Sequence, residues 1–578
     1  MSSLQDAEPA GSVPAGRGTP WKLAELPPPP ARTLSNIFAL VGPGAIILAL
    51  SIGSGEWLLG PKTAVEHGVR LLWITTVAVV LQTVFNIECA RYALYCGEPI
   101  LVGFTRLSPG PAFWRTVWLA LLFVSIGPGW ALGSATALAA VLLGHLPGDN
   151  ERWVVLACGL GNMLLVLALL SFGRSVQGSL ERFARIAVPV TFCGLLLLVV
   201  RFVPAGKWVA TAGGFLAFGH VPDGADRVLL AGFAAFSAAG GIFNTAVSNW
   251  FRDKGYGMGK VVGFIPALVG GRKVNFGAGG CVFPIHPESL RHWRDWLWYV
   301  RLDQWILFGL GALLGMYFCV LLAVGLLPEG SVMESWRIAA YQGQAVGRVM
   351  GPAGWVFVLG IGAWMLFASQ LNCTDAFVRQ ATELLWHTTP RLRRRCRGDI
   401  RRVYYALLLA LMVWTGLLLG LGDPLNLLLL AANAAGVVFV VAGIQLLVVG
   451  FTLLPRPLRP GRLTRAILAA GVIFYGTFAS ISIADAARRW RAAPSGASAV
   501  RPQIPVHRCG WRDPAVASAV RRQIPSVPGR DRGLKRHPFP GRGPPGGPDR
   551  GFRPSVARAG GQSRAGGDTR TGTRKSMS

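Results

Sequence analysis

The sequence predicts an all-α integral membrane protein with about eleven transmembrane helices, and three observations carry that prediction. Of its 578 residues 52% are hydrophobic and only 15% charged, where an ordinary soluble domain is about 25% charged. Apolar runs of about twenty residues, enough to cross roughly 30 Å of hydrocarbon, recur along the chain. The charged residues collect between those runs, which gives a mean hydropathy of +0.45.

Taken in order, the runs place spans at about 36–60, 70–95, 113–143, 153–173, 183–203, 227–251, 300–327, 347–386, 401–421, 426–454 and 462–487. Residues 1–34 are polar and proline-rich (Pro27 to Pro30), a composition that reads as a disordered lead-in. The transmembrane domain occupies 35–487. Residues 488–578 hold 20 Lys and Arg against 4 Asp and Glu, with little apolar periodicity, and are expected to form a disordered basic tail. That tail accounts for much of the net charge of +30. No basic stripe interleaved with aromatics accompanies it, so nucleic acid is not an expected partner.

The loops on the N-terminal side carry several times the Lys and Arg of the opposite loops, led by Arg393, Arg394, Arg395, Arg397, Arg401 and Arg402. The positive-inside bias then puts the N-terminus in the cytoplasm, with a bacterial cytoplasmic membrane as the expected location. Nine scattered cysteines include no CxxC pair, and neither a disulfide framework nor a zinc site is expected. Cys281, His286 and His292 are too irregularly spaced for a zinc site. Residues 254–260 (KGYGMGK) do not match a phosphate-binding loop. Residues 288–299, with Trp293, Trp296 and Trp298 beside Arg291 and Arg294, predict an interfacial helix with its aromatics at headgroup level.

Two spans differ from the rest. The first opens with Gly42-Pro43-Gly44 and carries Gly53-Ser54-Gly55-Glu56 in its middle. The sixth carries Ala238-Ala239-Gly240-Gly241, followed by Asn244. They are the first helices of two consecutive groups of five, repeats of about 36–203 and 227–454. Interrupted helices at matching positions point to a transport site at an inverted-repeat interface.

These residues resemble the natural resistance-associated macrophage protein (Nramp) family of divalent-metal transporters. The resemblance runs through most of residues 36–455. It includes the Gly42-Pro43-Gly44 start, the glycine-rich stretch ending in Trp57, the segment from Leu81-Gln82 through Arg91 to Gly97-Glu98, and Ala368-Ser369-Gln370 with Thr374. It implies a LeuT-type fold of five plus five helices with one more, and proton-linked movement of manganese or ferrous ions. The departures concern the metal ligands. Family members carry Asp-Pro-Gly-Asn in the first helix, where this chain has Gly53-Ser54-Gly55-Glu56. They carry Met-Pro-His in the sixth, where it has Ala238 to Gly241. The family's glutamine in the tenth helix falls near Asn433.

A carboxylate at bilayer depth is expensive unless it serves an ion, a proton or a partner. Glu56 is therefore the expected metal or proton site, with Lys62 as a possible structural partner. Gly53, Ser54, Ala238, Gly240, Gly241, Asn244 and Asn433 complete the expected substrate- or ion-binding set. Without a thioether the ligands are oxygens, which favour a harder ion of the magnesium class or a site that retains water. Glu88 with Arg91, and Asp375 with Arg379, are spaced as helical ion pairs or as a proton path. The expected function is secondary transport of a divalent cation (Mn, Fe or Mg class), with protons and the lipid bilayer as further partners and no cofactor. A symporter of a small organic solute on the same fold and a non-transporting sensor or scaffold stand as alternatives. No catalytic constellation suggests an enzyme.

Overall fold

A computed structural model describes residues 12–492, apart from 14, 41, 127–128, 272–276, 278, 332–337 and 420–423. Most of the expected tail, with Cys509, lies outside the described residues. Ten helices among those described are long and apolar enough to cross a membrane. They are α1 (Pro43–His67), α2 (Val69–Cys96), α3 (Pro111–Leu143), α4 (Arg152–Ser171), α5 (Val176–Phe202), α7 (Pro287–Leu326), α8 (Pro352–Thr388), α9 (Ile400–Leu418), α10 (Leu429–Thr452) and α11 (Arg462–Asp485). The eleventh crossing is made in two pieces, α6a (Arg227–Phe236) and α6b (Ile242–Asp253).

Sequence chemistry sets the ends of these elements. Pro43 occupies the first turn of α1, where its missing N–H costs nothing. The amides of Gly42 and Gly44, left free at that helix start, donate to the Asp303 carboxylate of α7 at 3.0 and 2.7 Å. Asp226 caps α6a by accepting from the Val228 and Leu229 amides. His286 starts α7 with a capping box, its Nδ1 accepting from the Ser289 amide at 3.2 Å.

The two interrupted helices prove unlike each other. α6 is broken: the chain turns at Ser237–Gly241, with Ala238 at φ 79, Gly240 at φ 94 and Gly241 at φ 45. α1 is continuous. Its glycine segment passes through a π-helical turn over Gly55–Leu59 without unwinding, so the expected interruption there is corrected to a local bulge. α7 carries a second π-helical turn over Asp303–Leu310.

The expected disorder of residues 1–34 is corrected for the described part of that segment, while residues 1–11 and 14 lie outside the described residues. From Trp21 the chain is a strap laid across the end of the bundle. Trp21–Leu23 pairs in parallel with Cys281–Val282 and antiparallel with Ser12–Val13, forming a three-stranded sheet. Trp21 is buried beneath the Arg106 guanidinium, 5.0 Å from its ring centroid. The proline run supplies acceptors: Trp296 Nε1 donates to the Pro27 carbonyl at 2.8 Å, and Tyr299 Oη donates to that of Ala31 at 3.0 Å. Covered in this way, Trp293 and Trp296 are buried, so the expected headgroup position of those two aromatics is corrected too. The helix they occupy is continuous with α7.

An ion pair outside the spans supports the strap. Glu98 binds Arg106, which also donates to the carbonyls of Ala15 and Thr19 at 2.9 and 2.8 Å. Burial works to raise the Glu98 carboxyl, but the attached guanidinium outweighs it and holds the pKa at about 2. An unfolded glutamate titrates near about 4.3, so the pair contributes its full stability above that pH and loses it as the pH falls toward 2. Protease cleavage of the strap should therefore be slow at pH 5 and accelerate below about pH 4. A flat cleavage rate across that range would contradict this role for the pair.

Candidate functional site

The break in α6 is held open by side chains of α1 and α2. Its backbone N–H groups cannot follow a helical ladder and need other acceptors. The Glu56 Oε1 accepts from the Ala238 amide at 3.2 Å. The Gln82 side chain of α2 takes the next two, its Oε1 accepting from Ala239 at 2.9 Å and Gly240 at 3.4 Å. Gln82 also donates to the Ser237 carbonyl at 2.7 Å, and the Thr75 and Ser237 hydroxyls share a bond of 3.1 Å. Ala238 is held in a left-handed conformation that costs a residue with a β-carbon about 1–3 kcal/mol.

Helix α1 comes close enough to the break because Gly55 has no side chain. A β-carbon there would overlap the Phe236 carbonyl oxygen, at the end of α6a. Glu56, one residue on, is fully buried. On its other side lies α7, with Gly315 against it and Cys319 within electrostatic reach. Its second oxygen, Oε2, has no hydrogen-bond partner among the described residues, and neither has Asn244 Oδ1 at the start of α6b. Buried oxygens are almost always satisfied, so two orphans beside one helix break are unusual.

A polar chain leads away from the break. Asn244 Nδ2 donates to Gln82 Oε1 at 3.2 Å and to Asn86 Oδ1 at 2.9 Å. Asn86 donates to Gln304 at 2.9 Å, and Gln304 donates to Asp303 at 2.9 Å. Asp303 in turn holds the start of α1. The residues on which the two repeats open are thus joined by side chains of α2 and α7.

The other expected residues are placed as follows. Gly53 faces α8, where a β-carbon would overlap the Ser369 hydroxyl, so it serves packing on that side. The Ser54 side chain lies outside the described residues. Gly240 and Gly241 form the break itself. Asn433 is corrected: it sits on α10 against α11, accepting from the Ser482 hydroxyl at 2.5 Å and donating to the Leu429 carbonyl at 2.8 Å. Lys62 is paired with Glu66 at 2.6 Å, one turn along its own helix.

Glu88 and Arg91 form a local pair at 2.6 Å. Asp375 and Arg379 pair at 2.9 Å and belong to a larger buried network. Arg379 also binds Asp253, Arg252 binds Asp253 and Glu383, and Trp250 and the Tyr404 hydroxyl donate to Asp375 at 3.0 and 2.7 Å. This network ties the end of α6b to α8. Gln82, Asn86, Gln304 and Asp303 are site residues that the sequence analysis does not single out, although an amide or carboxylate within an apolar span is itself a signal.

Among the described residues no three His, Cys, Asp or Glu side chains stand together as a metal cluster. A cation at the break would instead meet one carboxylate, an amide oxygen and backbone carbonyls of the turn, of which those of Ser237, Gly240 and Gly241 already accept a hydrogen bond. Beside the break, Trp130 of α3 packs between Phe236 and Phe243, at 5.7 and 5.5 Å between ring centroids. It lines a cavity of about 30 Å³ together with Gln370, Thr374 and Phe377 of α8.

No protein-family model matches the chain, and no curated protein sequence does. Solved structures do resemble it. A mutant of the Eremococcus coleocola manganese transporter superposes with a TM-score of 0.56 at 16% identity, over 82% of this chain and 92% of its own. The same transporter in complex with an aromatic bis-isothiourea substituted compound gives 0.56 at 16%, over 85% and 93%. A transporter of the nucleobase-cation-symport-1 family, Mhp1, gives 0.45 at 13%, over 78% and 92%. The likeness to the manganese transporter is one of fold. This is a mostly helical membrane protein of the LeuT type, five helices repeated with one added.

Proposed function

We propose that this protein is a secondary transporter whose cation site is the carboxylate of Glu56 at the break of α6. The observation that carries the reading is the fully buried Glu56 carboxylate, whose Oε1 holds the strained turn of α6 while its Oε2 has no hydrogen-bond partner among the described residues. An ionised carboxylate at bilayer depth with one oxygen unpaired is far from compensated; it takes up either a proton or a metal ion. Exchange of one for the other at the same oxygen couples transport to a proton gradient.

The donor set selects the kind of ion. Glu56 Oε2, Asn244 Oδ1 and carbonyls of the turn are hard oxygens, and no thioether or imidazole stands in the break. Hard divalent ions of the magnesium and manganese class suit such ligands, and a sparse protein shell favours an ion that keeps part of its water. The excess of Lys and Arg in the loops on the N-terminal side supports a cytoplasmic N-terminus.

A second reading, a small organic solute as cargo, draws on the unpaired polar atoms and aromatic rings beside the break, where the cavity of about 30 Å³ is no larger than a water and would have to widen to admit a solute. Trp130 Nε1 and Gln370 Oε1 are buried there without partners among the described residues. One assay separates the two. Proteoliposomes offered Mg²⁺, Mn²⁺, Fe²⁺, Zn²⁺ and amino acids, with and without an inward proton gradient, should accumulate Mg²⁺ or Mn²⁺ with the gradient. Uptake of an amino acid without any divalent ion would transfer the assignment to the organic cargo. Absence of all uptake would contradict transport.

A further inference from the structure

A large cavity lies away from the break. It measures about 690 Å³ and opens between the N-terminal strap, the segment after α2 and the outer face of α10. Its two walls differ in chemistry. Ile444 and Val448 of α10 are 50% and 40% exposed and form a lipid-facing apolar wall. Arg17 of the strap stands at the mouth, exposed, with one guanidinium nitrogen donating to the Pro109 carbonyl at 2.7 Å. Between them sits the Gln445 amide. It is only 4% exposed, its Oε1 accepts from Trp118 Nε1 at 3.0 Å, and its Nε2 has no partner among the described residues.

A buried donor that lacks an acceptor, a cation at the rim and an apolar wall open to hydrocarbon together describe an amphiphile with an anionic head. The volume is within the range of about 300–1,000 Å³ typical of ligand sites. Arg106, also in the lining, is already neutralised by Glu98, so Arg17 is the cation the site offers.

We propose that this cavity binds one anionic phospholipid, with its phosphate at Arg17 and one acyl chain along Ile444 and Val448, where it presses the strap against α10. The assignment does not depend on what α6 transports. Basic pockets between membrane helices bind anionic headgroups by the same combination of charge and apolar contact.

Native mass spectrometry of the full-length protein, exchanged from phosphatidylglycerol or phosphatidylcholine into detergent, tests it. The wild type is expected to retain one phosphatidylglycerol and at least about fivefold less phosphatidylcholine, since one basic residue at an anionic lipid is worth about that factor. Arg17→Gln should lose the same fivefold preference. Ile444→Trp, which fills the cavity from its lipid side, should lose the bound lipid. Arg402→Gln, an exposed arginine elsewhere, should retain it, which separates this site from attraction to the loop arginines. Unfolding midpoints in phosphatidylcholine identify any variant that fails to fold, and the two cavity variants reach the site from opposite walls. Equal retention of the two lipids, retention unchanged in both cavity variants, or displacement of the lipid by millimolar inorganic phosphate would each overturn the proposal.

Discussion

Replacing Glu56 with glutamine should abolish cation uptake while leaving the fold intact. The amide keeps an oxygen to accept from the Ala238 N–H, so the turn in α6 retains its anchor. It removes the charge that a bound cation needs. Truncating one partner of a buried charge pair costs about 3–5 kcal/mol, which corresponds to at least about a 100-fold loss of affinity. Uptake by Glu56→Gln in proteoliposomes should therefore fall to background at ion concentrations that saturate the wild type. Its unfolding midpoint in detergent should stay within a few degrees of the wild type. Glu56→Asp withdraws the carboxylate by one methylene and should leave partial uptake at a higher KM. Undiminished uptake by Glu56→Gln would remove this residue from the site.

The largest loss of stability is expected from Arg379→Met. Arg379 joins Asp375 of α8 to Asp253 at the end of α6b, and all three are buried. The neighbouring Arg252 already serves Asp253 and Glu383. Removing Arg379 leaves Asp375 with the Trp250 indole and the Tyr404 hydroxyl as its donors among the described residues. Breaking such a pair from one side costs about 3–5 kcal/mol, because the other charge stays buried. Thermal unfolding in detergent should show a clear drop in midpoint, with Arg379→Lys intermediate, since a lysine restores the charge without the two-pronged geometry. The pair Arg379→Met with Asp375→Leu should recover part of the loss. A midpoint unchanged by Arg379→Met would mean that the network is not what fastens α6b to α8.

Much of this architecture can be read from the residues alone. Runs of hydrocarbon length leave little choice but a helix across a bilayer, because no other local structure satisfies its own backbone there. The turn in α6 is legible at Ala238–Gly241 for the same reason, since consecutive glycines in an apolar helix weaken it. α1 shows the limit of that signal. Gly53 and Gly55 look like an interruption, but they let α8 and the end of α6a approach an intact helix. Glycine composition alone does not distinguish unwinding from close contact.

Other features depend on partners far along the chain. The strap reads as disordered because Pro27 to Pro30 cannot bury apolar surface alone. What orders it is a set of donors, Trp296 and Tyr299, nearly 270 positions away. Gln82 and Asn86, four residues apart on α2, lie on one helical face and both reach Asn244. Their spacing was open to view, while their target was not. Asn433 shows the converse. A polar residue in an apolar span signals a polar partner, and its partner is Ser482 of α11.

The central claim is that a divalent ion binds on Glu56 at the α6 turn, and an anomalous-difference map from crystals grown with Mn²⁺ tests it most directly. The proposal predicts one peak about 2.0–2.6 Å from Glu56 Oε2, a normal distance for a hard cation on carboxylate oxygen, and its absence in Glu56→Gln crystals. A map with no peak at that oxygen, or a peak that persists unchanged when Glu56 is replaced, would contradict it.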